Sequence, residues 1–206
     1  MVRLTIDNKV VEVAKGTTIL NAAEQAGIEI PTLCYIKDLL PDGSCRMCMV
    51  EMESNGRTKM DTACTAQVSE NLVVSTKSEK VIKARRNVLD MLLSNHKTDC
   101  FSCASNGDCK LQDLCYEYGV EKTTFEGESV ELPIDDTNPF FTYNPNLCVL
   151  CHRCVNTCHK IVGRGAIDTM QRGFTSVIGT PFDEDWRKTN CESCGNCVET
   201  CPTGAL

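Results

Sequence analysis

Residues 2–6 alternate apolar and polar through Val2, Leu4 and Ile6, and the alternation resumes at Val11 and Val13 after Asp7-Asn8. Period-two patterning broken by a turn pair predicts a β-hairpin. Gly16-Thr17-Thr18 then opens a helix, with Thr17 or Thr18 as cap, Ile19, Ala22, Ala23 and Ala26 as its apolar stripe, and Gly27 as its end. Residues 49–53 and 58–61 flank Asn55-Gly56, a dipeptide suited to a two-residue hairpin turn, and Val73 and Val74 belong to a further strand. Ser78 can cap a helix running through residue 94, with Val81, Ala84 or Arg85, Val88, Leu89, Leu92 and Leu93 at helical spacing. A shorter helix is expected over 111–118. Residues 119–147 are acidic and punctuated by Pro133, Pro139 and Pro145, which stop helices. Beyond them, 166–170 and 174–178 read as strands joined through Gly173.

Composition changes this picture in one respect above all: 16 of the 206 residues are cysteine. A disulfide framework needs an oxidising compartment. Met1-Val2-Arg3-Leu4-Thr5-Ile6-Asp7 lacks the long apolar stretch of a signal peptide, and no later run is apolar enough to span a bilayer. The expected location is therefore the cytoplasm, where clustered cysteines read as metal ligands. Aromatics are scarce, with a single Trp. That argues against a large dry core and makes metal ligation a main source of folding free energy. The net charge of −7 argues against nucleic acid as a partner. The one short basic cluster, Lys83-Ala84-Arg85-Arg86, reads as a solvated helix face.

The cysteines are not scattered. Cys148-x2-Cys151-x2-Cys154-x3-Cys158 is repeated as Cys191-x2-Cys194-x2-Cys197-x3-Cys201-Pro202. Zinc wants four ligands, usually as two Cys-x2-Cys pairs, so a third and fourth cysteine in each run would be wasted on it. Three thiolates on one short turn suit three corners of an iron–sulfur cubane. This doubled run resembles bacterial two-cluster ferredoxins, in which the fourth cysteine of each run reaches across to the other cluster. The resemblance implies one 4Fe–4S cluster on Cys148, Cys151, Cys154 and Cys201, and another on Cys158, Cys191, Cys194 and Cys197. His159 stands where ferredoxins often place Pro, and His152 and His159 read as surface or supporting groups, not ligands.

The amino-terminal cysteines follow Cys34-x10-Cys45-x2-Cys48-x15-Cys64, which is not the plant ferredoxin spacing. Together with the hairpin–helix–loop order and the loop Gly43-Ser44-Cys45-Arg46-Met47-Cys48, it resembles the β-grasp 2Fe–2S domain of iron-only hydrogenases, the large peripheral iron–sulfur subunit of respiratory complex I, and NAD-linked formate dehydrogenases. Gly43 would let the backbone come close to inorganic sulfur. His96-x3-Cys100-x2-Cys103-x5-Cys109, followed by Lys110-Leu111-Gln112-Asp113-Leu114, resembles the 4Fe–4S site with one histidine and three cysteines in the same family. Carried over, its ligands are His96, Cys100, Cys103 and Cys109. Ligand arithmetic alone leaves Cys115 as an alternative to His96, since four clusters need sixteen ligands and either choice supplies them. Asn138-Pro139-Phe140-Phe141 resembles the family's entry into the ferredoxin domain, with Phe140, Phe141 and Tyr143 expected to pack.

The resemblance thus implies an α+β chain. A β-grasp 2Fe–2S domain would span 1–77 and a small helical 4Fe–4S domain 78–118. A linker over 119–137 would lead to a two-cluster ferredoxin-like domain over 138–206. The expected cofactors are one 2Fe–2S cluster and three 4Fe–4S clusters. No catalytic site is expected within the chain: Gly163-Arg164-Gly165 is too short for a dinucleotide fingerprint, and no phosphate loop occurs. The implied role is an iron–sulfur electron-transfer subunit of a multisubunit, electron-bifurcating NAD(P)-linked oxidoreductase of formate dehydrogenase or hydrogenase type. Its partners would be a flavin and NAD(P)-binding subunit, a small 2Fe–2S subunit, a formate dehydrogenase or hydrogenase catalytic subunit, and a soluble ferredoxin. The alternatives are the amino-terminal module of a longer catalytic chain, or a stand-alone redox carrier or sensor.

Overall fold

The alternating residues at the amino end form the expected hairpin. β1 (Val2–Ile6) pairs antiparallel with β2 (Lys9–Val13), turning at Asp7 and Asn8, whose φ angles of 46° and 66° suit short polar side chains. A computed structural model describes residues 1–206 of the chain, which divide into two units, Met1–Leu89 and Asp90–Leu206.

In the first unit α1 (Ile19–Gln25) begins at Thr18, whose hydroxyl accepts from the Asn21 N–H at 3.2 Å. β3 (Met49–Ser54) and β4 (Arg57–Thr62) are joined through Asn55 and Gly56, both left-handed at 51° and 71°. β5 (Val73–Ser75) completes a five-stranded sheet in the order β2-β1-β5-β3-β4, in which β5 runs parallel to β1 and antiparallel to β3. One face of this sheet and the apolar stripe of α1 close over Leu4, Ile6, Val13, Ile19, Ala22, Val50 and Val74, each 2% exposed or less. Each large aliphatic side chain so buried is worth roughly 1.5–3 kcal/mol. The core expected to be meagre is thus substantial here, because aliphatic residues take the place of the missing aromatics.

α2 (Glu79–Leu93) starts with the Val81 N–H donating to Ser78 Oγ at 3.3 Å, and buries Val81 and Leu89. Between them Arg85 is only 2% exposed, and its guanidinium donates to the Met49 carbonyl at 2.8 Å. The basic cluster is therefore not wholly a solvated face: Lys83 and Arg86 are exposed, while Arg85 faces inward on the helical period.

In the second unit α3 (Lys110–Tyr118) ends at the left-handed Gly119. The acidic stretch after it carries little regular structure but is anchored. Thr123 and Thr124 donate to the Asp90 carboxylate, Val130 to Asn95, and Leu132 to Asn146, at 2.5–2.9 Å. Asp135 and Tyr143 exchange backbone hydrogen bonds of 2.8 Å in both directions. α4 (Arg153–Asn156) runs into a π-helical turn over Thr157–Val162, and α5 (Asn196–Thr200) lies near the end of the chain. The strand pair is shorter than expected. β6 (Asp168–Met170) pairs antiparallel with β7 (Val177–Gly179), while Gly173–Thr175 closes into a 3-10 turn that takes Phe174 out of the ladder. No helix is long and apolar enough to cross a membrane.

Candidate metal centres

The two long cysteine runs fold alike. Leu150 and Ser193, each two residues past the first cysteine of its run, have φ of 49° and 52°. Their N–H groups donate back to Cys148 Sγ and Cys191 Sγ, both at 3.4 Å. His152 and Gly195, two residues further, are again left-handed at 61° and 75° and lead into α4 and α5. Left-handed residues at every second position, with N–H groups turned back to sulfur, make a concavity suited to an anion. The sequence repeat is therefore a backbone repeat, and His152 serves as the left-handed entry to its helix.

The fourth cysteines cross over. Cys201 lies beside Cys148, Cys151 and Cys154, while Cys158 shares an apolar pocket with Cys191, Cys194 and Cys197. Burial pushes the Cys148, Cys151 and Cys154 thiols up, Cys151 to about 12, and Cys197 to about 11. Cationic metal reverses that penalty, since thiolates are the ligating form. The Ala166 N–H donates to Cys158 Sγ at 3.3 Å, and Asn138 reaches both Ser193 Oγ at 3.0 Å and Cys191 Sγ at 4.0 Å. Phe141 and Trp186 meet edge to face, with centroids 5.1 Å apart, beside the second set. The Trp186 indole N–H donates to Asp135 at 2.7 Å. Phe141 and Tyr143 pack as expected, but Phe140 does not: it is 79% exposed. His159 turns its Nε2 to the Ile167 carbonyl at 2.9 Å and lies over Gly165.

In the first unit Cys48 Sγ and Cys64 Sγ are 3.3 Å apart, and Cys34 is hydrogen-bonded to Cys45. The hydrogen bond within each pair lowers Cys34 and Cys48 and raises Cys45 and Cys64. All four therefore gather around one loop. Gly43 lies in that loop at φ 65°, and a Cβ there would come within 3.0 Å of Thr65 Cγ2.

His96, Cys100, Cys109 and Cys115 line one cavity of about 260 Å³. His96 Nδ1 is buried without a hydrogen-bond partner, and burial lowers the ring's pKa, leaving a neutral imidazole with a lone pair to give. Cys103 is not among the residues lining that cavity; its sulfur faces the carboxyl-terminal segment, where a Cβ on Gly204 would sit 2.8 Å from it. Cys109 Sγ faces the Pro202 carbonyl at 3.7 Å, and the Lys110 N–H donates to that same carbonyl at 3.0 Å. The Cys115 thiol, pushed up to about 11 by burial, lies near Cys109 and Cys100. Sequence reasoning missed Gly204, whose only signal is a small residue just past the last cysteine. It also missed Thr157, whose hydroxyl is buried without a partner between Cys154 and Cys158.

A β-grasp sheet followed by a doubled cysteine-turn domain defines an iron–sulfur protein of ferredoxin type. Three family models divide the chain among them. Residues 1–79 match a 2Fe-2S iron-sulfur cluster binding domain, and 85–124 the NADH-ubiquinone oxidoreductase-G iron-sulfur binding region. Residues 138–206 match the ferredoxin-like domain of NADH-quinone oxidoreductase subunit 3. The chain is 44% identical over 206 residues to the NADPH-Fe(3+) oxidoreductase subunit alpha of Geobacter sulfurreducens, covering 100% of itself and 24% of that protein. It is 39% identical over 211 residues to the NADP-reducing hydrogenase subunit HndD of Solidesulfovibrio fructosivorans, covering 100% of itself and 36% of that subunit. A crystal structure of an NAD+-reducing NiFe-hydrogenase in the H2-reduced state superposes with a TM-score of 0.89 at 32% identity, over 99% of this chain and 86% of that one. The chain belongs to the family of iron–sulfur subunits shared by NADH-quinone oxidoreductases and NAD(P)-linked hydrogenases. It spans about a quarter to a third of the length of the curated relatives it matches.

Proposed function

We propose that this chain is the electron-transfer part of a multisubunit NAD(P)-linked oxidoreductase, carrying electrons between a flavin-containing subunit and a catalytic centre or a soluble ferredoxin. The domain division is 1–77, 78–118, a linker over 119–137, and 138–206. Cys34, Cys45, Cys48 and Cys64 hold a 2Fe–2S cluster. His96, Cys100, Cys103 and Cys109 hold one 4Fe–4S cluster, Cys148, Cys151, Cys154 and Cys201 a second, and Cys158, Cys191, Cys194 and Cys197 a third. Bound there, the clusters supply one-electron storage and transfer. The protein's part is to fix ligand type, burial and N–H donors to sulfur, which are the levers on potential.

The observation that carries the reading is the crossing of the last two runs: Cys201 joins the first and Cys158 the second. Such interlocking supports two clusters in one small domain, an arrangement that suits passage of electrons and not storage of a single ion. Nicotinamide linkage is supported by the names of the relatives, which reduce or oxidise NAD(P). A flavin and NAD(P)-binding subunit, a small 2Fe–2S subunit and a hydrogenase or formate dehydrogenase catalytic subunit are the partners, and the cytoplasm is the place. The formate-linked and bifurcating versions rest on the motif resemblance.

Gentle anaerobic purification of the native protein tests this. The expected result is co-purification with a flavoprotein and roughly fourteen irons per chain, the sum of one 2Fe–2S and three 4Fe–4S clusters. Zinc in place of iron, or recovery with no flavoprotein, overturns it. The intact mass separates a separate subunit from the amino-terminal module of a longer one.

A further inference from the structure

Tyr143 is 5% exposed, and its hydroxyl has no hydrogen-bond partner. The polar groups facing it are the Cys148 sulfur and the Ile178 N–H, with Cys154 beside them, yet neither closes a bond of ordinary geometry. Buried hydroxyls are rarely left so, because desolvation is costly and phenylalanine would fill the same space without it. The ring is not there by accident of a loose loop. Its backbone is clamped to Asp135 by two bonds of 2.8 Å, and the next residue, Asn144, donates to the Ala205 carbonyl at 2.7 Å. Ile167, Ile178 and Trp186 enclose the same apolar cluster. The Ile178 N–H can only give a hydrogen bond to the oxygen, which leaves the phenolic proton to be directed at sulfur.

We propose that the Tyr143 hydroxyl is a built-in donor to the sulfur shell of the cluster held by Cys148, Cys151, Cys154 and Cys201, and that it sets that cluster's reduction potential. The inference rests on the ligand assignment above. A donor to sulfur favours the more negative, reduced state, so it raises the potential. The repeat gives an internal control. The matching run, Cys191 to Cys197, has an amide at this role, Asn138, and no buried phenol.

The test is Tyr143→Phe in the cluster-loaded full chain, read by EPR-monitored redox titration and by the coupling of exchangeable deuterons in D2O. The expected result is that one 4Fe–4S midpoint falls by about tenfold in the one-electron equilibrium, ~59 mV, with loss of one exchangeable coupling. The other midpoints stay where they were. Uniform 3-fluorotyrosine labelling, which strengthens the donor without deleting it, is expected to raise the same midpoint, and it serves if the phenylalanine variant fails to load iron. Four clusters present but no midpoint moved by either change overturns the tyrosine's role alone. Absence of 4Fe–4S signals in the unaltered chain overturns the ligand assignment itself.

Discussion

The two units of this protein solve the problem of a core in opposite ways. In Met1–Leu89 the interior is a layer of Leu, Ile, Val and Ala between sheet and helix, and of the cysteines only Cys48 and Cys64 join it. In Asp90–Leu206 the apolar cluster around Tyr143, Ile167, Ile178 and Trp186 is completed by Cys148, Cys154, Cys158, Cys191, Cys197 and Cys201. There the prospective ligands are themselves much of the interior, and burial drives the Cys148, Cys154 and Cys197 thiols up. One unit fills its interior by hydrophobic packing; the other builds a smaller apolar cluster in which thiols stand where aliphatic side chains would.

The sharpest way to break that contrast is to remove iron. Chelation under anaerobic reducing conditions is expected to abolish amide-exchange protection across Asp90–Leu206 while β1, β3 and β5 stay protected. Equal loss in both units would erase the distinction. Next in size, Leu4→Ala should cost the first unit about 2–5 kcal/mol, as for a buried Leu elsewhere. Denaturant unfolding measures the loss, and the EPR spectra of the 4Fe–4S clusters should be unchanged.

Two substitutions sharpen the chemistry of the second unit. His96→Cys puts a thiolate where a neutral imidazole lies, so the midpoint of that cluster should fall. Cys115→Ser should leave the iron count unchanged, and a loss of iron would make Cys115 the ligand instead. Smaller still, Thr18→Ala removes the cap of α1 and should cost about 1 kcal/mol in thermal or chemical unfolding.

The smallest effect concerns Glu51 and Lys80, 2.8 Å apart on β3 and α2. The Lys80 ammonium holds the Glu51 carboxyl below its ordinary value. The unfolded chain therefore binds the extra proton first, so the pair's contribution is present above the ordinary carboxylate range and lost as pH falls through the folded value. Being exposed, it should be small and vanish in high salt. Lys80→Ala is expected to flatten the acid limb of the thermal-stability profile slightly, at low salt only.

Much of this is legible in the residues because it is local. Asn55-Gly56 can adopt left-handed φ, and therefore makes the turn it predicts. Thr18 carries its own cap oxygen. The repeated cysteine spacing makes the same turn twice, each with an N–H donating back to the first sulfur of its run. Other features depend on what arrives from far along the chain. Arg85 reads both as an alternative to Ala84 on the helical stripe and as one of three solvated cations, and only the Met49 carbonyl, 36 residues away, which accepts from its guanidinium, decides between them. Phe140 and Phe141 are indistinguishable as letters, but one meets Trp186 and the other faces solvent.

The repeated turns and the grouping of cysteines along them therefore belong to the sequence, since spacing along a short turn decides which side chains can face one point. Tertiary structure alone decided what surrounds them. The lone Nδ1 of His96, the close approach of Gly204 to the Cys103 sulfur and the unpartnered phenol of Tyr143 all depend on segments separated in the chain. Burial, which sets the cost of a charge or an unmade hydrogen bond, is a property of the assembled interior and not of any residue's neighbours in sequence.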